Sequence, residues 1–166
     1  MNPNSLYDSA ESLLDLINTV YMEYSAEVAP LPLRQIIVAG GPSTQPHDCE
    51  QVVVYVSNIY PGEPNNQDWN LDNCAGLKSA SFAVELVRKA SPLNETVNRR
   101  ANPSALTAAQ ENDIAKTQLQ DMRMLFETGL RAGKDLFLIG ASVIVNAGAE
   151  AGLYQSMTLQ IEGSVS

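Results

Sequence analysis

Two strand-like segments on either side of one long polar loop constrain the fold most strongly. The first, 51–60, is dense in valine, tyrosine and isoleucine, which suit a pleated, half-buried surface. In the second, 77–88, successive side chains are expected to point to opposite faces, with a period of two. One face carries Ala80, Phe82, Val84 and Leu86. Because consecutive strands usually pair, the sequence predicts an antiparallel hairpin whose connection is too long for a tight turn.

Two helices are predicted outside this hairpin. Residues 3–24 have Asn2 as a cap, a proline at the first helical position and an apolar stripe at spacings of three and four, made of Leu6, Ala10, Leu13, Ile17, Val20 and Tyr24. Residues 103–131 form the longer helix, which is expected to end at Gly133 as a C-cap. Its expected core stripe is Leu119, Met122, Phe126 and Leu130.

Three further strands complete the predicted fold, at 34–39, 136–145 and 155–162, with a glycine-rich turn at 146–152. The resulting order, α-β-β-β-α-β-β, implies an α+β protein with a mainly antiparallel sheet and two helices on one face. We expect a single domain over 1–166, with the hairpin loop 61–76 as a projecting element.

The chain is acidic, with a formal net charge of −9. Such a surface repels a phosphate backbone, which disfavours conventional nucleic-acid binding but permits DNA to pass without being gripped. No apolar run reaches the length of a membrane span. The acidic residues Asp8, Glu11 and Asp15 stand where a cleaved signal peptide would be basic and then apolar, so we expect none, and we assign them to a solvated helix face.

The sequence gives only weak support to a catalytic or metal-binding site. His47-Asp48-Cys49 brings the one histidine near a cysteine, but a nucleophile would also need an orienting group and an oxyanion site. We therefore expect no enzyme, no metal and no cofactor. A small enzyme using Cys49 and His47 stays an alternative, which Cys49→Ala would test, and a ligand-binding module with the Gly40-Gly41 turn at its pocket edge is another.

The two cysteines are expected to stay unpaired. If 51–60 and 77–88 pair antiparallel, Cys49 and Cys74 lie at opposite ends of the hairpin, roughly 33 Å apart at the rise of an extended strand. A disulfide needs Cα atoms within about 7 Å. An intact mass 2 Da lower under non-reducing conditions, which is roughly the two hydrogens lost on pairing, would contradict this expectation.

The loop 61–73 is the expected contact element, because amides with an isolated aromatic residue suit a partner surface. A mobile loop folded back on the sheet is the alternative. The basic residues Arg88, Lys89, Arg99 and Arg100 are expected to form a local positive patch. This patch suits contact with an acidic partner, or it offsets the charge of nearby acids. The candidate interface residues are Tyr60, Pro61, Gly62, Asn65, Asn66, Asp68, Trp69, Arg88, Arg99 and Arg100.

Several motifs together resemble the tail terminator proteins of long-tailed, siphovirus-type phages, especially those of actinobacteria. The motifs are Asp48-Cys49-Glu50-Gln51 opening a valine-rich strand, Tyr60-Pro61-Gly62 closing it, Cys74, the run 79–88, Asn102-Pro103-Ser104-Ala105-Leu106-Thr107-Ala108-Ala109 and the alternating strand 157–162. The resemblance covers most of 48–162. The stretch 110–124 is more polar than in the family, and 134–140 lacks a family signature.

This resemblance implies a structural virion protein with no catalytic role. The family forms a homohexameric ring that caps the head-proximal end of the tail tube, stops its polymerisation and meets the head completion, or stopper, protein. The implied partners are further copies of the chain, the tail tube protein and that stopper, with DNA passing through the lumen and no membrane involved. The implied location is the virion neck, after assembly in the host cytoplasm. A head–tail joining protein and a tail tube subunit are alternatives in the same class.

Overall fold

A computed structural model describes residues 5–40, 50–61, 78–89, 108–135, 138–149 and 154–165. The elements in chain order are α1 (Ser5–Glu23), β1 (Arg34–Ala39), β2 (Gln51–Pro61), β3 (Lys78–Lys89), α2 (Ala108–Asp135), β4 (Leu138–Ala149) and β5 (Tyr154–Val165). This order confirms the predicted α+β fold. The single domain over 1–166 and the projecting loop at 61–76 stay predictions, since most of that loop lies outside the described ranges.

The five strands form one sheet in the order β1-β2-β3-β5-β4. Strand β1 runs parallel to β2, and the other three neighbouring pairs are antiparallel. The predicted hairpin is confirmed, because β2 and β3 pair from Gln51 opposite Val87 to Pro61 opposite Lys78, with one register shift between Val56 and Asn58. Because β1 and β4 stand at the two ends of the strand order, they form opposite edges of the sheet.

The core lies between the sheet and the two helices. The four alternating apolar residues predicted for β3 are all buried in one cluster with residues of α1, α2 and β5. On the other face of the sheet, Val53, Tyr55 and Ala83 form a smaller buried cluster, against which Ile36 and Val38 of β1 pack. The period of two in β3 therefore separates the two faces as the sequence predicts.

Helix α1 follows its predicted pattern. Its buried residues are Ala10, Leu13, Ile17, Val20 and Tyr21, and Leu6 and Tyr24 are partly buried against the same cluster. The three acidic residues assigned to a solvated face are exposed. The predicted cap, Asn2-Pro3, lies outside the described residues.

Helix α2 differs from its prediction in two respects. It continues through Gly133 to Asp135, so the predicted C-cap is wrong. A single helical glycine costs only about 1 kcal/mol, and the fully buried Ala132 beside it packs the helix onto the core. The predicted core stripe is also wrong at Leu119, Phe126 and Leu130, which are exposed, although Met122 is partly buried.

The last two strands are longer than predicted. Strand β4 extends to Ala149, so that part of the expected turn at 146–152 belongs to the sheet. The cause is continued pairing with β5, since Asn146 lies opposite Ser156 and Ala149 opposite Tyr154 after a register shift. The remainder of that turn, and residues 136–137, lie outside the described ranges.

Candidate interaction surfaces

A buried polar network joins both helices to the sheet. Asp121 lies on the inner face of α2, and its side chain is 4% exposed. The Tyr21 hydroxyl of α1 donates to Asp121 Oδ1 at 2.7 Å. Arg88 of β3 donates through Nε to Oδ2 at 2.6 Å and through Nη2 to Oδ1 at 3.0 Å. One carboxylate therefore holds three elements in a fixed relation, with the bidentate geometry that makes arginine pairs strong.

Arg88 also anchors the connector between α1 and β1. Its Nη1 donates to the Pro30 carbonyl at 2.9 Å and its Nη2 to the Ala29 carbonyl at 3.4 Å. Burial alone would lower the pKa of Arg88, but the hydrogen bonds and charge of Asp121 outweigh it and raise that pKa. Burial, followed by the charge of Asp121, raises the pKa of Tyr21 far above its usual value. Both donors stay protonated at neutral pH, so their hydrogen bonds to Asp121 are all available there.

The network determines which face of α2 points outward. Asp121 and Thr128 occupy the inner face together with Met124, Leu125 and Ala132, and the Thr128 hydroxyl is satisfied by the Met124 carbonyl at 2.8 Å. The opposite face carries the exposed apolar residues of the helix. We define the α2 outer stripe as Leu119, Phe126 and Leu130, which are 65%, 49% and 54% exposed. Their spacing places them on one side of the helix.

A second apolar surface flanks β1. Asn18 of α1 and Gln35 of β1 exchange side-chain hydrogen bonds of 2.8 and 3.0 Å, which sets this side of α1 against β1. Tyr7 and Met22 stand eleven residues before and four residues after Asn18, so they lie on the same side of the helix. Both are exposed, and Leu33, directly before β1, is fully exposed. We define the β1-edge patch as these three exposed residues, with Tyr7 toward the carboxyl end of β1 and Met22 and Leu33 toward its amino end.

An apolar cleft lies at the carboxyl ends of the parallel strands β1 and β2, under the first turns of α1. Its volume is about 700 Å³. Leu6 and Tyr7 line it from the helix, Ile37 from β1 and Ile59 from β2. Gly40 is at its rim with a φ of 73°, a left-handed conformation that glycine adopts without strain. The expectation of a turn at Gly40 fits this backbone, and Gly41 lies outside the described residues.

The predicted interface residues fall into two groups. Tyr60 is buried, Pro61 is the last residue of β2, and Arg88 belongs to the network with Asp121. The remaining candidates lie outside the described residues, as do the histidine and both cysteines: Gly62, Asn65, Asn66, Asp68, Trp69, Arg99, Arg100, His47, Cys49 and Cys74. Their contact role and the separation of the cysteines stay predictions.

Sequence reasoning missed the residues that organise these surfaces. The predicted apolar stripe of α1 does not include Tyr21, and the sequence analysis predicts no role for Asp121. Leu119, Phe126 and Leu130 are predicted to form an apolar stripe that faces the core, whereas in the structure they face outward. A signal was present in the sequence, because an acid at position 121 lies within the most apolar half of the helix.

Neither protein-family models nor curated proteins give a match to this chain. Within the described ranges, no helix is both long and apolar enough to cross a membrane. The same ranges contain no group of three His, Cys, Asp or Glu side chains that could hold a metal ion.

Proposed function

We propose that the protein is a structural virion protein, a tail terminator that forms a homohexameric ring at the head-proximal end of a phage tail tube. In this role it stops tube polymerisation and joins the tail to the head completion protein. One observation carries the proposal, namely that the chain exposes two different apolar surfaces, the α2 outer stripe and the β1-edge patch. A ring built head to tail needs two different patches on each subunit.

The two surfaces belong to opposite ends of the sheet. Helix α1 lies beside β1 through the bonds between Asn18 and Gln35, whereas α2 packs on β4 and β5. Strands β1 and β4 are the two ends of the sheet. One subunit can therefore offer the α2 outer stripe to one neighbour and the β1-edge patch to another, which is the arrangement that cyclic assembly requires.

The exposed side chains are also of the kind that interfaces bury. Leu119, Phe126 and Leu130 share one side of α2, and apolar surface grouped in this way is a candidate for burial against a partner. Each buried Leu, Met or Phe side chain is worth about 1.5–3 kcal/mol. The net charge of −9 suits a ring through which DNA slides without being bound. The tail tube protein and the stopper would then meet the two axial faces, in the virion neck.

The test is the mass and shape of the purified particle. Native mass spectrometry and negative-stain imaging should find closed six-fold rings for the natural chain. Phe126→Glu should shift the population to monomers, because it places a charge in the α2 outer stripe. Asp113→Lys, at an exposed position of the same helix about 120° round its axis from Leu119, is the matched control and should leave the rings intact.

Other results would separate the alternatives. Compact monomers at every concentration would contradict the terminator proposal. Open-ended tubes would favour a tail tube subunit, and monomers that form rings only on a partner would favour a head–tail joining protein.

A module that binds a small apolar ligand is a second candidate, favoured by the cleft beside Gly40. Titration with a medium-chain fatty acid should then show saturable binding. Ala39→Trp, at an exposed residue that lines the cleft, should abolish it, whereas Thr19→Trp on the exposed side of α1 should not. Absence of saturable binding would remove support for this candidate.

A further inference from the structure

We propose that neighbouring copies of the chain join their sheets edge to edge, with β4 of one copy pairing antiparallel to β1 of the next. The pairing places Arg34–Ala39 of one copy against 141–146 of the other. This inference rests on the proposed ring and names the backbone surface that closes it. The partner is a second copy of the same chain.

Both strands have an edge open to such a partner within the described strands. Strand β1 pairs with β2 and strand β4 with β5, each on one side. Proteins usually protect a sheet edge with charged residues or proline, because unpaired N–H and C=O groups recruit further strands. The twelve residues of β4, LIGASVIVNAGA, contain neither. A long apolar edge of this kind is a template for strand addition.

Strand direction favours the pairing. Strand β2 runs with β1, β3 runs against β2, β5 against β3 and β4 against β5. The two edge strands of one copy therefore point in opposite directions. In a ring whose axis lies along the strands, every copy has the same orientation, so β4 meets the next β1 antiparallel. Antiparallel pairs are slightly more stable per residue than parallel ones.

Length and register agree with this arrangement. The ladder between β4 and β5 shifts between Ile139 and Ala141 and again between Asn146 and Ala149, which leaves six uninterrupted positions, 141–146. Strand β1 also has six residues. A full overlap puts Arg34 opposite Asn146 and consequently Val38 opposite Ser142.

The same register keeps equivalent faces together. Ile37 packs against the helix-side core cluster. Val143 is the register partner of Leu159, which is buried in that cluster. Full overlap places Ile37 opposite Val143, so that helix-side positions meet helix-side positions. A slip of one residue would exchange the faces of the sheet.

The α2 outer stripe and the β1-edge patch would lie beside the seam, which is the pairing of β4 with β1 of the next copy. Helix α2 packs on β4, and α1 lies beside β1, both on the helix side of the sheet. Joining the edges brings α2 of one copy next to α1 of the other. The α2 outer stripe of one copy and Tyr7 and Met22 of the next then lie on helices that flank the same seam, which places apolar side chains beside the backbone pairing.

Cysteine cross-linking tests the seam directly. In a chain carrying Cys49→Ser and Cys74→Ser, we would prepare Val38→Cys and Ser142→Cys as separate proteins and oxidise them alone and mixed. Directly opposed antiparallel residues have Cβ atoms about 4.5–5.5 Å apart, close enough for a disulfide after small adjustments. The mixture should give at least tenfold more covalent dimer than either protein alone. Val38→Cys mixed with Val145→Cys is the mismatched control.

The outcomes separate this inference from the proposed function. Rings that form without the cross-link between positions 38 and 142, or that cross-link Ser142→Cys to itself, would overturn the seam and leave the terminator proposal standing. A chain that stays monomeric in native mass spectrometry would overturn both. Rings with the mixed cross-link, and covalent ladders up to six copies from a chain carrying both substitutions, would support the seam.

Discussion

The two helices treat their apolar residues in opposite ways. Helix α1 buries the stripe that its sequence predicts, from Ala10 to Val20, and exposes its acids. Helix α2 buries Asp121 and Thr128, and exposes Leu119, Phe126 and Leu130. Both helices pack on the same core cluster, so the difference does not come from their place in the fold. It comes from the partners that each inner face finds.

For α2 those partners are polar. Tyr21 and Arg88 satisfy Asp121 fully enough for the carboxylate to lie inside, and this fixes the rotation of the helix about its axis. A buried polar group without such partners would destabilise the fold by several kcal/mol. The apolar outer stripe is thus a consequence of the inner network. It is left available for another surface.

The largest effect is expected when the Asp121 carboxylate is removed. Asp121→Ala leaves the largely buried Arg88 guanidinium without its carboxylate partner, although it keeps the Pro30 and Ala29 carbonyls as acceptors, and it deprives the Tyr21 hydroxyl of its acceptor. Breaking a buried pair from one side costs about 3–5 kcal/mol. We expect a loss of that size in the free energy of unfolding, measured by chemical denaturation at pH 7.

Asp113→Ala is the control, since Asp113 is exposed on the same helix. Its effect should stay within about 0.5 kcal/mol, as for ordinary surface substitutions. If Asp121→Ala were as mild as this control, the network would not set the rotation of α2, and the explanation offered for its reversed faces would be wrong.

The second test compares leucines on the two faces of α2. Leu125 is fully buried and Leu130 is more than half exposed. Leu125→Ala should lower the free energy of unfolding by about 2–5 kcal/mol because it leaves a cavity in the core. Leu130→Ala should change monomer stability by less than about 0.5 kcal/mol. Thermal and chemical unfolding below the assembly concentration measure both, and equal losses would contradict the assigned faces.

These contrasts show what could be predicted from the sequence. Local periodicity was sufficient for α1 and for the β2–β3 hairpin, because neighbouring residues determine their own faces. It failed for α2, since the partners of Asp121 lie 33 and 100 residues away along the chain. The β1-edge patch was missed for a related reason: the exposure of Met22 and Leu33 depends on how α1 and β1 meet, which no short pattern contains.

A smaller effect is expected from the tyrosine of the network. Tyr21→Phe removes one hydrogen bond to a charged acceptor and leaves Arg88 in place, so we expect a loss of about 1.5–3 kcal/mol at pH 7. Tyr7→Phe, at an exposed tyrosine, is the matched control and should be nearly neutral. A neutral Tyr21→Phe would show that Arg88 alone holds Asp121 in the core.

The same variant should change the response to alkali. Burial and Asp121 raise the pKa of folded Tyr21, so its contribution is complete below the unfolded value of about 10 and is lost as the pH rises through the folded value. The natural chain should therefore lose stability more steeply above about pH 10 than Tyr21→Phe. Tyr55, whose pKa is raised by burial and by Glu85, contributes equally to both chains. Parallel slopes above that pH would contradict the assignment.

The smallest effect is expected at the surface ion pair between the helices. Arg131 donates to Glu23 at 2.9 and 2.6 Å, and this lowers the pKa of Glu23. Its contribution is present above the usual carboxyl pKa and is lost as the pH falls through the folded value. Glu23→Gln should therefore lower the melting temperature slightly at pH 7, less in high salt and not at all in strong acid. Glu11→Gln removes the same charge where the described residues provide no ion pair. If both variants had equal effects, the two helices would be held together by the buried network and core packing without help from their surface.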